Sequence, residues 1–161
     1  MVGSLAAGFE PLRRYADFSG RARRSDLALF WLVTMMAALL VEWSEAAVYI
    51  SGAPINPEGW STLLGAMLLC PWAALAVRRL HDSGRSGWWL LLALPALLIK
   101  LRDWLAEMND PIAVPLEAGL PLLVVLPVGL ALLALVVLLL WEDEDGSNRY
   151  GPNPRYGAVK T

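Results

Sequence analysis

The sequence predicts an all-α integral membrane protein, four transmembrane helices preceded by a short N-terminal interfacial helix. Three observations predict it. The apolar set of Ala, Val, Ile, Leu, Met, Phe, Trp, Tyr and Cys makes up 57% of the 161 residues, while Asp, Glu, Lys and Arg make up only 17%, against about 25% in an ordinary soluble domain. Four apolar stretches approach the roughly 20 helical residues needed to cross a ~30 Å hydrocarbon core. The cations gather on one side of those stretches. The length suits one domain, 1–161, and the composition excludes a disordered chain.

Residues 1–26 read as a cytoplasmic amphipathic and basic segment. Phe9, Leu12, Tyr15 and Phe18 recur every three residues and share one stripe of a short helix lying in the membrane interface. Arg21, Arg23 and Arg24 then turn toward anionic headgroups, where each cation near the surface gains about 1 kcal/mol. These residues lack a continuous apolar core, so no cleavable signal peptide is expected.

The spans follow at about 27–47, 60–80, 86–105 and 119–141. The last is uncharged throughout, and the second is uncharged until Arg78. The third is the weakest, since Lys100, Arg102 and Asp103 must snorkel to the interface; a re-entrant or interfacial helix is its alternative. Residues 51–59 and 106–118 read as the loops on one side, and the short stretch from His81 to Arg85 as the turn on the other. Eleven of the 13 cations lie at the termini and around His81, and only Lys100 and Arg102 lie opposite. By the positive-inside rule both termini, the 142–161 tail and the His81 turn are cytoplasmic. Trp88, Trp89 and Trp141 then stand at the inner interface and Trp43, Trp60 and Trp104 at the outer one. Ala66, Cys70 and Ala74 lie four apart on the second span and are expected to form a helix-contact face. Prolines such as Pro71 kink a span and need a neighbour to satisfy the carbonyl they free.

Candidate chemistry is sparse. One cysteine and one histidine make neither a disulfide nor a zinc site, so no metal and no cofactor is expected. His81 and Asp82 are acid/base types, yet neighbours at a helix end point apart and no nucleophile stands at a recognisable spacing. Glu42 and Glu45 share a helix face, and an acid within a span suggests ion coupling by default. At ~22 Å along the helix, however, Glu42 reaches the outer interface, where a solvated carboxylate costs little.

Three polar clusters share the cytoplasmic side. FSGRARRSD (18–26) precedes the first span, and PWAALAVRRLHDSGRSGWW (71–89) joins the second to the third. Gly84 is expected to end one helix there and Ser86 to cap the next. NRYGPNP (148–154) forms turns after the fourth span, expected to dock on the 78–85 turn through Asp82 with Arg149 or the nearby backbone amides and through Arg78 or Arg79 with carbonyls at 151–154. In this order the clusters resemble the YhaH-like bacterial inner-membrane family, domain of unknown function 805, over nearly the whole chain. Asp26, Leu27 and Ala28 depart from its acid-aromatic-Trp pattern, and Asn153 departs from its GPDP-like ending. The resemblance implies a multi-span bacterial inner-membrane protein and brings no activity, cofactor or catalytic residue.

Together these observations favour a non-enzymatic structural or interaction protein. Its arginine-rich cytoplasmic face (Arg21, Arg23, Arg24, Arg78, Arg79, Arg85, Arg149), with His81, Asp82, Asn148, Tyr150, Gly151 and Pro152, would meet anionic lipid, a protein partner or a second copy, and no nucleic acid. The alternatives are a subunit of an oligomeric transporter or channel using Glu42 and Glu45, and an enzyme acting on a phosphate-bearing lipid.

Overall fold

A computed structural model describes residues 9–52, 59–109 and 121–154. The chain order is α1 (Arg24–Ser51), α2 (Trp60–Asp82), a 3-10 helix (Gly87–Ala93), α3 (Leu94–Asn109) and α4 (Leu122–Leu140). Among the described residues there is no strand, only an isolated antiparallel bridge between Asn148 and Gly151. The loop at 51–59 and the one at 106–118 lie largely outside the described residues, as does the tail beyond Pro154.

Local chemistry sets the helix ends. The Asp26 carboxylate accepts the Arg23 amide at 3.0 Å, half of a capping box, so α1 begins three residues earlier than the apolar run alone suggests. It ends at Gly52, whose φ of 67° is the left-handed conformation a helix terminator needs. The α2 terminus is a full Schellman motif: Gly84, at φ 71°, donates to His81 O at 3.1 Å, and Arg85 donates to Leu80 O at 2.9 Å. Ser86 then accepts the Trp88 amide at 3.4 Å and starts the 3-10 helix.

Among the described residues three helices are long and apolar enough to cross a membrane: α1, α2 and α4. The stretch expected as the third span differs from a single α-helix. It runs as seven residues of 3-10 helix followed by the 16 of α3. The change falls where Pro95, which has no N–H to donate, occupies the first turn of α3, a position where proline is tolerated. Gly87 lets the 3-10 helix press on α2, since a Cβ there would lie 2.8 Å from Val77 Cγ1.

The helices meet mainly at one end. Phe30 is fully buried and packs tilted on Trp72, with ring centroids 5.1 Å apart. Ala22, Leu27 and Leu75 join it, with Leu68 and Leu139 at the edge. Beyond this small core the apolar residues face outward, as with Ile50 and Leu123. A soluble protein could not expose so much apolar surface, but hydrocarbon solvates it. The small-residue stripe on α2 is therefore a contact only at one end: Ala74 is fully buried, Cys70 is half-buried and Ala66 is exposed.

The N-terminal segment is helical over 9–13 and then turns. Phe9, Leu12, Tyr15 and Phe18 are all exposed, leaving an apolar edge on the outside. The Ser19 hydroxyl and the Arg14 guanidinium clamp Asp17 and hold its carboxyl well below the usual carboxylate range. The Tyr15 hydroxyl donates to Met67 O at 2.5 Å. That carbonyl stands four residues before Pro71 and has no helical donor, because the proline has no N–H.

Candidate functional site

Directly beyond the apolar core lies a buried chain of alternating charge. Asp82, the last residue of α2, accepts Arg21 Nε on Oδ1 at 2.7 Å and Arg79 Nη1 on Oδ2 at 2.5 Å. Arg79 Nη2 reaches Asp143 Oδ1 at 2.8 Å, and Arg24 Nε reaches the same oxygen at 3.1 Å. The side chains of Arg21, Asp82 and Arg79 are 1%, 2% and 0% exposed. Burial of such charges is tolerable only when every polar atom is partnered.

Both inner arginines meet that condition. Arg21 Nη1 donates to Gly146 O at 2.8 Å, and its Nη2 donates to Glu144 O at 2.6 Å and Asp82 O at 3.2 Å. Arg79 Nε donates to Leu139 O at 2.8 Å, and its Nη2 donates to Trp141 O as well. Leu139 belongs to the last turn of α4 and Trp141 caps it, so Arg79 satisfies carbonyls that the helix end leaves open. Three segments distant in sequence are thus joined at Asp82: the 18–26 motif, the α2 turn and the strand of chain leaving α4.

Around this network the segments make further contacts. Ala22 N donates to Arg78 O at 3.1 Å, and His81 Nδ1 lies 3.2 Å from Gly20 O. Glu144 N donates to Asp82 O at 2.9 Å. The Asn148 amide donates to His81 O at 2.9 Å, and the Asn148–Gly151 turn sets the Tyr150 ring flat on the His81 ring, centroids 3.7 Å apart and 4° from parallel. Asn153 is buried and donates to Glu144 O at 3.2 Å, a bond that an acceptor-only carboxylate could not make.

Of the residues singled out in the sequence, the structure brings Arg21, Arg24, Arg79 and Asp82 into the network and His81, Asn148, Arg149, Tyr150 and Gly151 around it. Arg23 is exposed and its guanidinium donates to Pro154 O. Pro152 is exposed at the turn. Arg78 is buried and bonds Ala74 O of its own helix, while Arg85 stacks over the Trp141 ring at 4.9 Å.

Two expected pairings are corrected. Asp82 is not the partner of Arg149, which lies over the Tyr150 ring and bonds Gly84 O at 3.4 Å, because the 148–151 turn carries it outward. Arg79 bonds the end of α4 rather than carbonyls at 151–154; Arg23 is the arginine that meets Pro154. Arg21, expected to face headgroups, is spent inside the protein.

Asp143, Glu144 and Gly146 also belong to the site. Their signal in the sequence is the acidic run Glu142 to Asp145, which directly follows the last apolar stretch and can answer the arginine-rich motifs. Glu42 and Glu45 lie apart from the network. Glu42 is exposed, and Glu45 accepts the Ser61 amide at 2.8 Å, satisfying one open donor in the first turn of α2.

A cavity of about 770 Å³ lies between α2, the 3-10 helix, α3 and α4. Trp72, Leu91, Leu97 and Leu135 represent its lining, and His81, Ser86 and Tyr150 form its polar end. Among the described residues no three His, Cys, Asp or Glu side chains group as metal ligands.

A family model described as "Protein of unknown function (DUF805)" matches residues 15–152, from the N-terminal segment to the 148–154 turn. The chain belongs to the DUF805 family. It is similar to two Escherichia coli proteins named inner membrane protein YhaI and inner membrane protein YhaH. YhaI is 31% identical over 147 residues, covering 91% of this chain and 93% of that protein. YhaH is 30% identical over 145 residues, covering 89% and 92%. The uncharacterized protein YiiR of the same organism is 33% identical over 88 residues, 55% of this chain and 56% of that one. No solved structure matches the chain. In this DUF805 protein the matched region therefore contains every charged member of the buried network. That network offers fixed ion pairs and carbonyl caps, with no nucleophile within it.

Proposed function

We propose that this membrane protein is a four-span interaction protein of the bacterial inner membrane, with both termini and the His81 turn in the cytoplasm, and that its exposed arginines hold anionic lipid headgroups. The observation that carries the reading is the division of labour among the arginines. Arg21 and Arg79 give every guanidinium nitrogen to groups of the chain itself, while Arg23 and Arg149, which each donate to one backbone carbonyl of the surrounding turns, remain exposed. Fixed internal pairs suit a rigid platform; exposed cations at a membrane surface suit headgroups.

The four-span topology is supported by the reach of the third segment. A 3-10 helix rises about 2.0 Å per residue and an α-helix 1.5 Å, so the uncharged part, residues 87–99, extends about 23 Å. Snorkelling of Lys100 and Arg102 would carry the rest of a ~30 Å core. The cation asymmetry supports the orientation. The reading assigns no reaction, since His81 is engaged with Gly20 and Tyr150 and Asp82 with two arginines.

The experiment compares thermal stabilisation of the purified protein by phosphatidylglycerol and by phosphatidylcholine of equal chain length. Wild type is expected to be stabilised more by the anionic lipid, and Arg23→Gln with Arg149→Gln is expected to remove the difference. Equal stabilisation of wild type by both lipids would contradict the proposal.

A further inference from the structure

We infer that the cavity between α2, the 3-10 helix and α4 is a binding site for one acyl chain of an anionic phospholipid, with its headgroup at the His81–Tyr150 end. This rests on the lipid-interaction reading above and specifies where one lipid sits.

Dimensions come first. Along α2 the lining runs from Leu69 to His81, twelve residues or about 18 Å. That is close to ~15 Å, half of a ~30 Å hydrocarbon core and therefore the depth of one leaflet. The volume of about 770 Å³ falls in the ~300–1,000 Å³ range of small-molecule sites. A packed partner helix is ~10 Å across and would leave the polar end of this space without a matching group, where His81, Ser86 and Tyr150 line it. A single extended acyl chain is the slimmer apolar object that a membrane supplies.

Polarity runs the same way. The long wall is Trp, Leu, Ala and Val, and polar side chains occur only at one end, where His81, Ser86 and Tyr150 line it. Cations flank that end. Arg149 is exposed and lies 4.7 Å over the ring of Tyr150. Arg85 immediately precedes Ser86, and its Nη1 is buried without an acceptor among the described residues. The Arg85 guanidinium sits 4.9 Å over the Trp141 ring, and a phosphate oxygen beside Ser86 would add the hydrogen-bond acceptor that a ring face does not supply. A phosphodiester at the mouth of an apolar slot would supply both missing parts, acceptor oxygens for Arg85 and a tail for the slot.

Native mass spectrometry of the full chain, released from detergent micelles containing dioleoyl-phosphatidylglycerol or dioleoyl-phosphatidylcholine, tests the assignment. The chain is expected to leave the micelle with one phosphatidylglycerol bound and to retain phosphatidylcholine less. Ala73→Phe, from the α2 wall, and Ala93→Phe, from the opposite wall, should each fill the slot and lower the retained fraction about tenfold. Melting temperatures near wild type in either variant show that the loss is not unfolding, and using two walls keeps the test open should one variant misfold. Arg85→Gln should leave lipid bound and abolish the preference for phosphatidylglycerol. Undiminished retention in both filled variants, or a lipid-free dimer as the released species, would overturn the site. Should retention survive cavity filling while Arg23→Gln with Arg149→Gln still abolishes stabilisation by the anionic lipid, the cavity assignment falls and the headgroup reading stands.

Discussion

Tyr15 and Pro71 are 56 positions apart and answer one another. Pro71 withholds the N–H that would bond Met67 O, and the Tyr15 hydroxyl supplies a donor at 2.5 Å. Tyr15→Phe should therefore leave a carbonyl unmet and lower the unfolding free energy in mixed micelles by about 1–3 kcal/mol. The same change made on a Pro71→Ala background should cost clearly less, because alanine restores the backbone donor. Equal losses on both backgrounds would show that the hydroxyl serves no such role. The general requirement was legible in the sequence, since a membrane helix with an internal proline needs a neighbour to meet the freed carbonyl. The identity of the neighbour was not, because Tyr15 reads equally well as one member of an apolar stripe. Its ring keeps that outward role while its hydroxyl turns in, a division by atom that spacing cannot reveal.

At the level of elements, the caps were legible and the long-range pairings only in part. Gly84 and Ser86 have local signatures, and the turn they build is the one their residue types specify. The docking of 148–154 on the α2 turn was legible as a need of a polar, helix-breaking segment for a partner. Which arginine meets which acid depended on the direction in which the chain leaves α4. The residues that pass Asp82 are 143–146, three to six residues past Leu140, whereas Arg149 lies beyond a tight turn. The third apolar stretch shows the same limit: its composition announces a span, but not the 3-10 geometry of its first seven residues. The α2 stripe gives a direct test of how far the helix contact extends. Ala74→Leu should destabilise by about 1–3 kcal/mol through overpacking, whereas Ala66→Leu should stay within about 0.5 kcal/mol because the site is exposed. Equal effects would mean that the helices touch along their whole length.

For the molecule as a whole, packing is concentrated at one end. Three apolar helices converge on Phe30, Leu75 and Ala74, the buried charges lie just beyond them, and the remaining surface is left to the bilayer. Reporter fusions at Pro57, Pro111 and Thr161 should report the first two outside and the third in the cytoplasm, as the eleven-to-two cation split requires. A cytoplasmic signal at Pro111 would reduce the third stretch to a re-entrant element. The central claim is that three separated motifs form one ionic joint centred on Asp82. Replacing one partner in such a buried pair costs about 3–5 kcal/mol, because the other charge is left uncompensated. The most direct measurement is a double-mutant cycle of unfolding free energies for Arg21→Gln and Asp82→Asn. The joint predicts a double variant less damaged than the sum of the singles by about 1–3 kcal/mol; strictly additive losses would contradict it.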